Sequence, residues 1–142
     1  MQVLNITRET VLARFVKVAD TAARRRKGLL GRQQLSPGEG LWILPCESVH
    51  TICMRFPIDI VYLDRNHRVK KIRSDLFPWR LSACFSACSV IELASGTIRE
   101  TQTQCGDLLE FSPAVQLSDK ADTYSAYEIP QKADPSGSAL FK

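Results

Sequence analysis

Residues 50–64, HTICMRFPIDIVYLD, restrict the possible folds of this chain more than any other stretch of the sequence. The first part alternates in character, which predicts a strand that sends His50 and Cys53 to opposite faces. Pro57 ends that strand because proline has no backbone N–H to donate to a neighbouring strand. A second, almost wholly apolar strand is predicted over residues 58–64. We therefore expect the rest of the domain to form a scaffold around these two strands.

One carboxylate in this stretch indicates a candidate site. Asp59 lies near the start of an apolar strand and must reach water or find a partner. A later loop adds a tryptophan, which offers a flat wall, and an arginine, which can bind a carboxylate or phosphate through two hydrogen bonds. The predicted ligand-binding residues are His50, Met54, Arg55, Asp59, Trp79 and Arg80. Each also has a structural interpretation: Met54 could fill the core, and Asp59 could accept hydrogen bonds from Arg80 or from backbone amides.

The remaining elements predict a β-rich α+β domain with six or seven short strands. The main helix is predicted within residues 20–32, DTAARRRKGLLGR, with Asp20 or Thr21 as its N-cap. Residues 74–87 are predicted to be an irregular binding loop, and residues 97–102 a short helix capped by Thr97. The expected architecture is a small, twisted, barrel-like sheet, antiparallel or mixed, with one main helix near the N-terminus. Residues 1–117 form the predicted domain, and residues 118–142 a flexible tail.

Composition bounds the class of protein. A hydrophobic fraction of 44% and a charged fraction of 24% are typical of a soluble folded domain. Neither a secretion leader nor an apolar run of about 20 residues is visible, so we expect a cytoplasmic protein whose five cysteines are reduced. Residues 1–73 carry 14 Lys and Arg against 6 Asp and Glu, a net +8 in a chain whose total is +4. That excess predicts either a basic face for an anionic partner or ordinary solvated surface.

The sequence contains candidate residues for three further kinds of site. Cys46, His50 and Cys53 with the later Cys84 and Cys88 have no standard zinc spacing, so we predict no metal and no cofactor. A cysteine hydrolase would use Cys46 or Cys53 with His50 and Asp59, but no nucleophile elbow or oxyanion loop is evident. Nucleic-acid binding would use the cations of residues 24–27, Arg32 and the cations of residues 65–73, although aromatic residues are not interleaved with them.

Six short motifs occur in an order that resembles the domain-of-unknown-function 192 family. They are GLLGR (28–32), EGLWI (39–43), HTICMRFPIDIVYLD (50–64), PWR (78–80), IELASGT (91–97) and CGDLLEF (105–111). Met54, Pro57 and Asp59 fall on the core motif of that family. Cys53 departs from it, since an aromatic residue is common there, and Leu30 and Leu41 stand where methionine is frequent. The resemblance implies a compact β-rich fold with a helix near its N-terminus, and it implies no reaction.

The predicted function is that of a non-catalytic binding or accessory module for a small anionic ligand or a protein partner. The alternatives are a small hydrolase-like enzyme with a Cys/His pair in the same cleft, or a nucleic-acid binder with a basic surface. A perturbed thiol or imidazole pKa in the cleft would favour the enzyme. A paired Asp59–Arg80 bridge without a reactive thiol would favour the binding module.

Overall fold

The computed structural model describes residues 1–114, which form ten strands and two short helices. The elements are β1 (Gln2–Asn5), β2 (Thr10–Ala13), β3 (Phe15–Ala19), α1 (Ala22–Lys27), β4 (Glu39–Ile43), β5 (Ser48–His50), β6 (Ile58–Leu63), β7 (Val69–Leu76), β8 (Leu81–Ala83), β9 (Ser89–Ala94), α2 (Thr97–Thr101) and β10 (Leu109–Ser112). The predicted tail over residues 118–142 lies outside the described residues. The β-rich α+β class and the helix near the N-terminus are confirmed.

A five-stranded mixed sheet with the order β3-β4-β9-β6-β7 is the centre of the fold. Only β3 and β4 run parallel within it, and the other neighbours are antiparallel. A three-stranded sheet, β10-β1-β2, and the two-stranded β5-β8 pair complete the described strands. The central strands β6 and β9 are buried at every position, which explains why both are mostly apolar rather than alternating in pattern.

Each central strand carries one acidic residue, and the two acids point to opposite faces of the sheet. Asp59 of β6 lies opposite Leu93, whereas Glu92 of β9 lies between Leu41 and Ile60 on the neighbouring strands. Directly opposed residues share a face, and successive residues alternate between faces. The two carboxyl groups therefore enter two different cores.

The two cores contain different elements. The core on the Glu92 face, here called the α1-side core, includes Leu29 and Leu35 from the segment after α1, together with Met54. The core on the Asp59 face, here called the α2-side core, includes Ile98 of α2 and Val3 of β1. Burial of these apolar side chains stabilises the sheet on both sides.

Helix α1 lies within the predicted range of residues 20–32. Thr21 is its N-cap, and the Thr21 hydroxyl accepts a hydrogen bond from the Arg24 backbone N–H at 3.3 Å. The helix ends at Gly28, whose positive φ of 46° is easier for glycine than for other residues. None of its six residues is buried, so α1 presents its four basic side chains near the protein surface.

Three local predictions were wrong. The alternating strand expected up to Met54 stops at His50, because residues 51–54 turn, with Cys53 at a positive φ of 64°. The segment 74–87 is not irregular throughout, since β7 continues to Leu76 and β8 follows at Leu81. Helix α2 has Gly96 rather than Thr97 at its N-cap, and glycine has no side chain to cap the helix.

Candidate functional site

Thr51 joins the β5-β8 pair to the loop that carries Trp79 and Arg80. Its hydroxyl donates to the Phe77 carbonyl at 2.7 Å and accepts from the Arg80 backbone N–H at 2.9 Å. Its own carbonyl accepts from the Trp79 N–H at 3.0 Å. Since His50 precedes Thr51 and pairs with Leu81, the structure brings His50, Trp79 and Arg80 into one neighbourhood, where all three side chains are exposed.

The turn after Thr51 sends Met54 inward. The Met54 N–H donates to the Thr51 carbonyl at 3.1 Å, and the Met54 side chain is 7% exposed within the α1-side core. Arg55 lies outside, where its guanidinium donates to the Gln33 side-chain oxygen at 3.3 Å. The turn over residues 51–54 thus leaves His50 exposed and places Met54 in the core.

Asp59 is fully buried, and its two oxygens serve two backbone groups. Oδ1 accepts from the Asp75 N–H at 2.8 Å, and Oδ2 accepts from the Ile98 N–H at 2.7 Å. Ile98 lies in the first turn of α2, where backbone N–H groups have no partner within the helix. Asp59 therefore acts as a remote cap of α2 and fixes β7 beside it, which is the backbone-amide alternative weighed from the sequence.

A cavity of about 590 Å³ lies on the other face of the sheet, beside α1. Its lining comes from α1 and the following segment, from β5 and the loop before it, and from the central sheet. The lining residues are Ala22, Arg25, Arg26, Lys27, Gly28, Leu29, Leu30, Ile43, Pro45, Cys46, Glu47, Ser48, Val49, His50, Met54 and Glu92. Seven of these sixteen residues are polar or charged, so the cavity is more polar than a typical small-molecule site, which is mostly apolar with a few polar groups.

Glu92 is the buried acid of this cavity. The residue is only 4% exposed, and its Oε2 atom is buried without a hydrogen-bond partner among the described residues. Its cross-strand neighbours, Leu41 and Ile60, offer no donor. Burial raises the pKa of the Glu92 carboxyl to about 7. The group is therefore close to its midpoint of ionisation at neutral pH, unlike an ordinary glutamate.

The cations that line the cavity come from α1. The Arg25 guanidinium donates to the carbonyls of Asp20, at 2.8 Å, and Leu44, at 3.3 Å, which holds this half-buried side chain across the start of the cavity wall. Arg26 and Lys27 are exposed, as are His50 and the acid Glu47. The cavity therefore has one acid on its buried side, and two cations together with Glu47 on its exposed side.

Cys46 is the thiol in this cavity, and its surroundings favour the protonated form. Burial raises the Cys46 pKa, and the nearby Glu92 adds to the rise, whereas a hydrogen bond with the Ser48 backbone and the charge of Arg25 oppose it. Its Sγ donates to the Ser48 carbonyl at 3.1 Å. Because the thiolate is the nucleophilic form, Cys46 has the opposite of the environment that activates a catalytic cysteine.

Two of the six predicted site residues, His50 and Met54, line this cavity. Trp79 and Arg80 lie near His50 on the surface, Arg55 contacts Gln33, and Asp59 enters the opposite core. No ion pair between Asp59 and Arg80 is present among the described residues. The site assignment itself stays a prediction.

Sequence reasoning missed Glu92 as a candidate residue. It carries the same signal as Asp59, a single acidic residue inside a strand of otherwise small or apolar residues.

Within residues 1–114, no three His, Cys, Asp or Glu side chains lie close enough together to hold a metal ion.

Comparison with known proteins places this fold among strand-rich domains whose biochemical role is not known. A family model described as "Uncharacterized ACR", domain-of-unknown-function family 192, matches residues 3–111. The chain belongs to this family, as its motifs predicted. The match covers both cores, including Asp59 and Glu92.

Two curated relatives are similar to this chain over most of their own length. The UPF0127 protein TK1120 of Thermococcus kodakarensis is 29% identical over 96% of this chain and 88% of its own length. The UPF0127 protein PF1050 of Pyrococcus furiosus is 31% identical over 77% of this chain and 97% of its own length.

Two crystal structures share the fold. One is a protein of unknown function from Novosphingobium aromaticivorans, with a TM-score of 0.66 and 24% identity over 78% of this chain and 82% of that one. The other is described as a putative transcription regulator from Sinorhizobium meliloti, with a TM-score of 0.66 and 19% identity over 77% and 89%. At these identities the likeness concerns the fold alone.

Among residues 1–114, no helix is long and apolar enough to cross a membrane.

Proposed function

We propose that this protein is a non-catalytic binding module that holds a small anionic ligand in the cavity beside α1. The observation that supports this most directly is the cavity itself, about 590 Å³ in volume, with Met54 in its wall and the cations Arg26 and Lys27 of α1 at its exposed side. Arginine and lysine side chains at a cavity entrance attract anions and can bind a carboxylate or phosphate.

The state of the thiol favours binding over catalysis. A hydrolase of the Cys/His type needs a thiolate, yet burial and the nearby Glu92 raise the pKa of Cys46, the cysteine that shares the cavity with His50. Asp59, the acid that would complete such a triad, accepts hydrogen bonds from backbone amides on the opposite face of the sheet. It therefore lies apart from Cys46 and His50.

Several of the cations proposed for nucleic-acid binding already have contacts within the protein. Lys71 donates to the Ala83 carbonyl at 2.7 Å, and Arg68 donates to the Gly106 carbonyl at 2.7 Å. These side chains are held against the protein surface, which leaves fewer cations for phosphate contacts. The cavity is the better supported anion site.

The proposal is tested by native mass spectrometry of the protein purified from its own host, followed by two matched double variants. Arg26→Gln with Lys27→Gln removes two charges at the cavity, whereas Arg65→Gln with Lys70→Gln removes two exposed charges on the β6–β7 hairpin. We expect a small mass increment that the first pair loses and the second pair retains. A protein-sized increment would replace the small ligand with a protein partner. Equal ligand retention by both pairs would refute the cavity as the site.

A further inference from the structure

Glu92 is the feature that the proposed function leaves unexplained. Buried polar side-chain atoms in folded proteins nearly always have a hydrogen-bond partner, so each exception needs a cause. The Glu92 carboxyl has an unpartnered oxygen, lies in the centre of the sheet face, and lines the cavity. An apolar residue at this position would fit the surrounding core without that cost.

The protein supplies no cation to this carboxyl among the described residues. Arg25, the half-buried cation of the cavity wall, directs one guanidinium nitrogen at the carbonyls of Asp20 and Leu44. No ion pair involving Glu92 is formed in residues 1–114. A buried carboxylate is stable only when it is paired or protonated, and its raised pKa agrees with the lack of a partner in the protein.

We infer that the ligand is a zwitterion, which directs an ammonium group at Glu92 and an anionic group at the cations of α1. This inference rests on the proposed function and specifies its ligand class. An anion without a donor would leave Glu92 unpaired, or would bring a second negative charge towards it. A ligand with an ammonium at one end and a carboxylate at the other matches both ends of the cavity.

The charge on Glu92 couples ligand binding to pH. The titratable or charged groups that line the cavity are Arg25, Arg26 and Lys27 on α1, Cys46 and Glu47 in the loop before β5, and His50 on β5. Tyr62 of β6 and Cys84 pack in the α1-side core, and Arg24 of α1 lies outside the cavity. An ammonium favours the ionised form of Glu92, so its binding below neutral pH releases a proton. The affinity for such a ligand should therefore rise between about pH 6 and pH 8.

Matched pairs of simple acids test the inference by isothermal titration calorimetry at pH 8. The probes are 4-aminobutyrate against butyrate, and 6-aminohexanoate against hexanoate, so that only the ammonium differs within a pair. We expect the amino acids to bind about ten- to a hundredfold more tightly, as for a charge-assisted hydrogen bond in a desolvated site. In Glu92→Gln that preference should fall to about twofold or less. Glu110→Gln, which alters an exposed carboxyl on β10, should retain it.

The outcomes separate this inference from the proposed function. Equal binding within each pair, or an unchanged preference in Glu92→Gln, would overturn the zwitterion and leave an anion site. Binding of none of the four acids at millimolar concentration would overturn both. If Glu92→Gln does not fold, the comparison within each pair on the unaltered protein still tests the preference for an ammonium, and the rise in affinity from pH 6 to pH 8 tests the role of Glu92.

Discussion

The two faces of the central sheet treat a buried acid in opposite ways. On the α2 side, Asp59 is fully buried and accepts two backbone hydrogen bonds, at 2.8 and 2.7 Å. On the α1 side, Glu92 is almost as deeply buried but has an oxygen with no partner among the described residues. The carboxyl with two partners holds structural elements together. The carboxyl without them lines the cavity beside α1, which is the site proposed for a ligand.

Removal of Asp59 should produce the largest loss of stability. Asp59→Ala leaves the Asp75 and Ile98 N–H groups without their acceptor, and we expect the free energy of unfolding to fall by about 3–5 kcal/mol. Urea denaturation at pH 7 measures this loss. Asp59→Asn keeps one acceptor oxygen, so its free energy of unfolding should lie between those of Asp59→Ala and the unaltered protein. Unfolding of Asp59→Ala at the unaltered midpoint would contradict the structural role of this acid.

Glu92 should show the opposite behaviour, with stability that depends on pH. Its pKa is raised from 4.5 to about 7, so the folded state keeps a proton that the unfolded chain releases between these values. The free energy of unfolding should therefore fall as pH rises from about 4.5 to 7, by about 3 kcal/mol, and then level off.

The isosteric variant Glu92→Gln checks this prediction. Its stability relative to the unaltered protein should increase by about 3 kcal/mol between pH 4 and pH 8, because glutamine does not titrate. Chemical denaturation across this range provides the measurement, with Glu110→Gln as the exposed control. A constant difference between the two proteins over the whole range would show that Glu92 ionises normally.

Asp107 offers a second paired acid, with a smaller expected effect. Burial raises its pKa, but hydrogen bonds from Asn5, from the Gln104 N–H and from Arg8 outweigh burial, and the pKa lies below its ordinary value. Such a group adds stability above its ordinary pKa and loses it as pH falls through the lowered value. Asp107→Asn should cost about 1–2 kcal/mol at pH 7, with a smaller difference near pH 3.

Thiol labelling at pH 8 should give the smallest effect and needs no loss of folding. Cys53 and Cys105 are exposed, whereas Cys46 is half-buried with a raised pKa, so Cys46 should react at least about tenfold more slowly with a maleimide. Because Glu92 contributes to that rise, Glu92→Gln should accelerate Cys46 slightly and leave Cys53 unchanged. Cysteine mapping by mass spectrometry resolves the individual sites. A Cys46 that reacts as fast as Cys53 would restore the hydrolase alternative.

The sequence predicted the architecture better than the site, for a physical reason. Apolar runs such as residues 58–63 and 89–94 indicate buried strands from local composition alone. Asp59 was recognisable as a residue that needs a partner, but its partner Ile98 lies 39 positions further along the chain. Glu92 carries the same local signal, and only the tertiary structure shows that it has no comparable donor. Local patterns give the need for a partner, and long-range packing decides whether it is met.

The pairing of β1 with β10 has a consequence for the order of folding. β1 lies between β2 and β10, so one of its edges stays open during synthesis until residues 109–112 have left the ribosome. The buried contact between Asn5 and Asp107 closes at the same late stage, across 102 positions of sequence. Contacts between such distant residues slow folding, and an open strand edge can pair with another chain in the meantime. The nascent chain should therefore be prone to aggregation until β10 has left the ribosome and paired with β1.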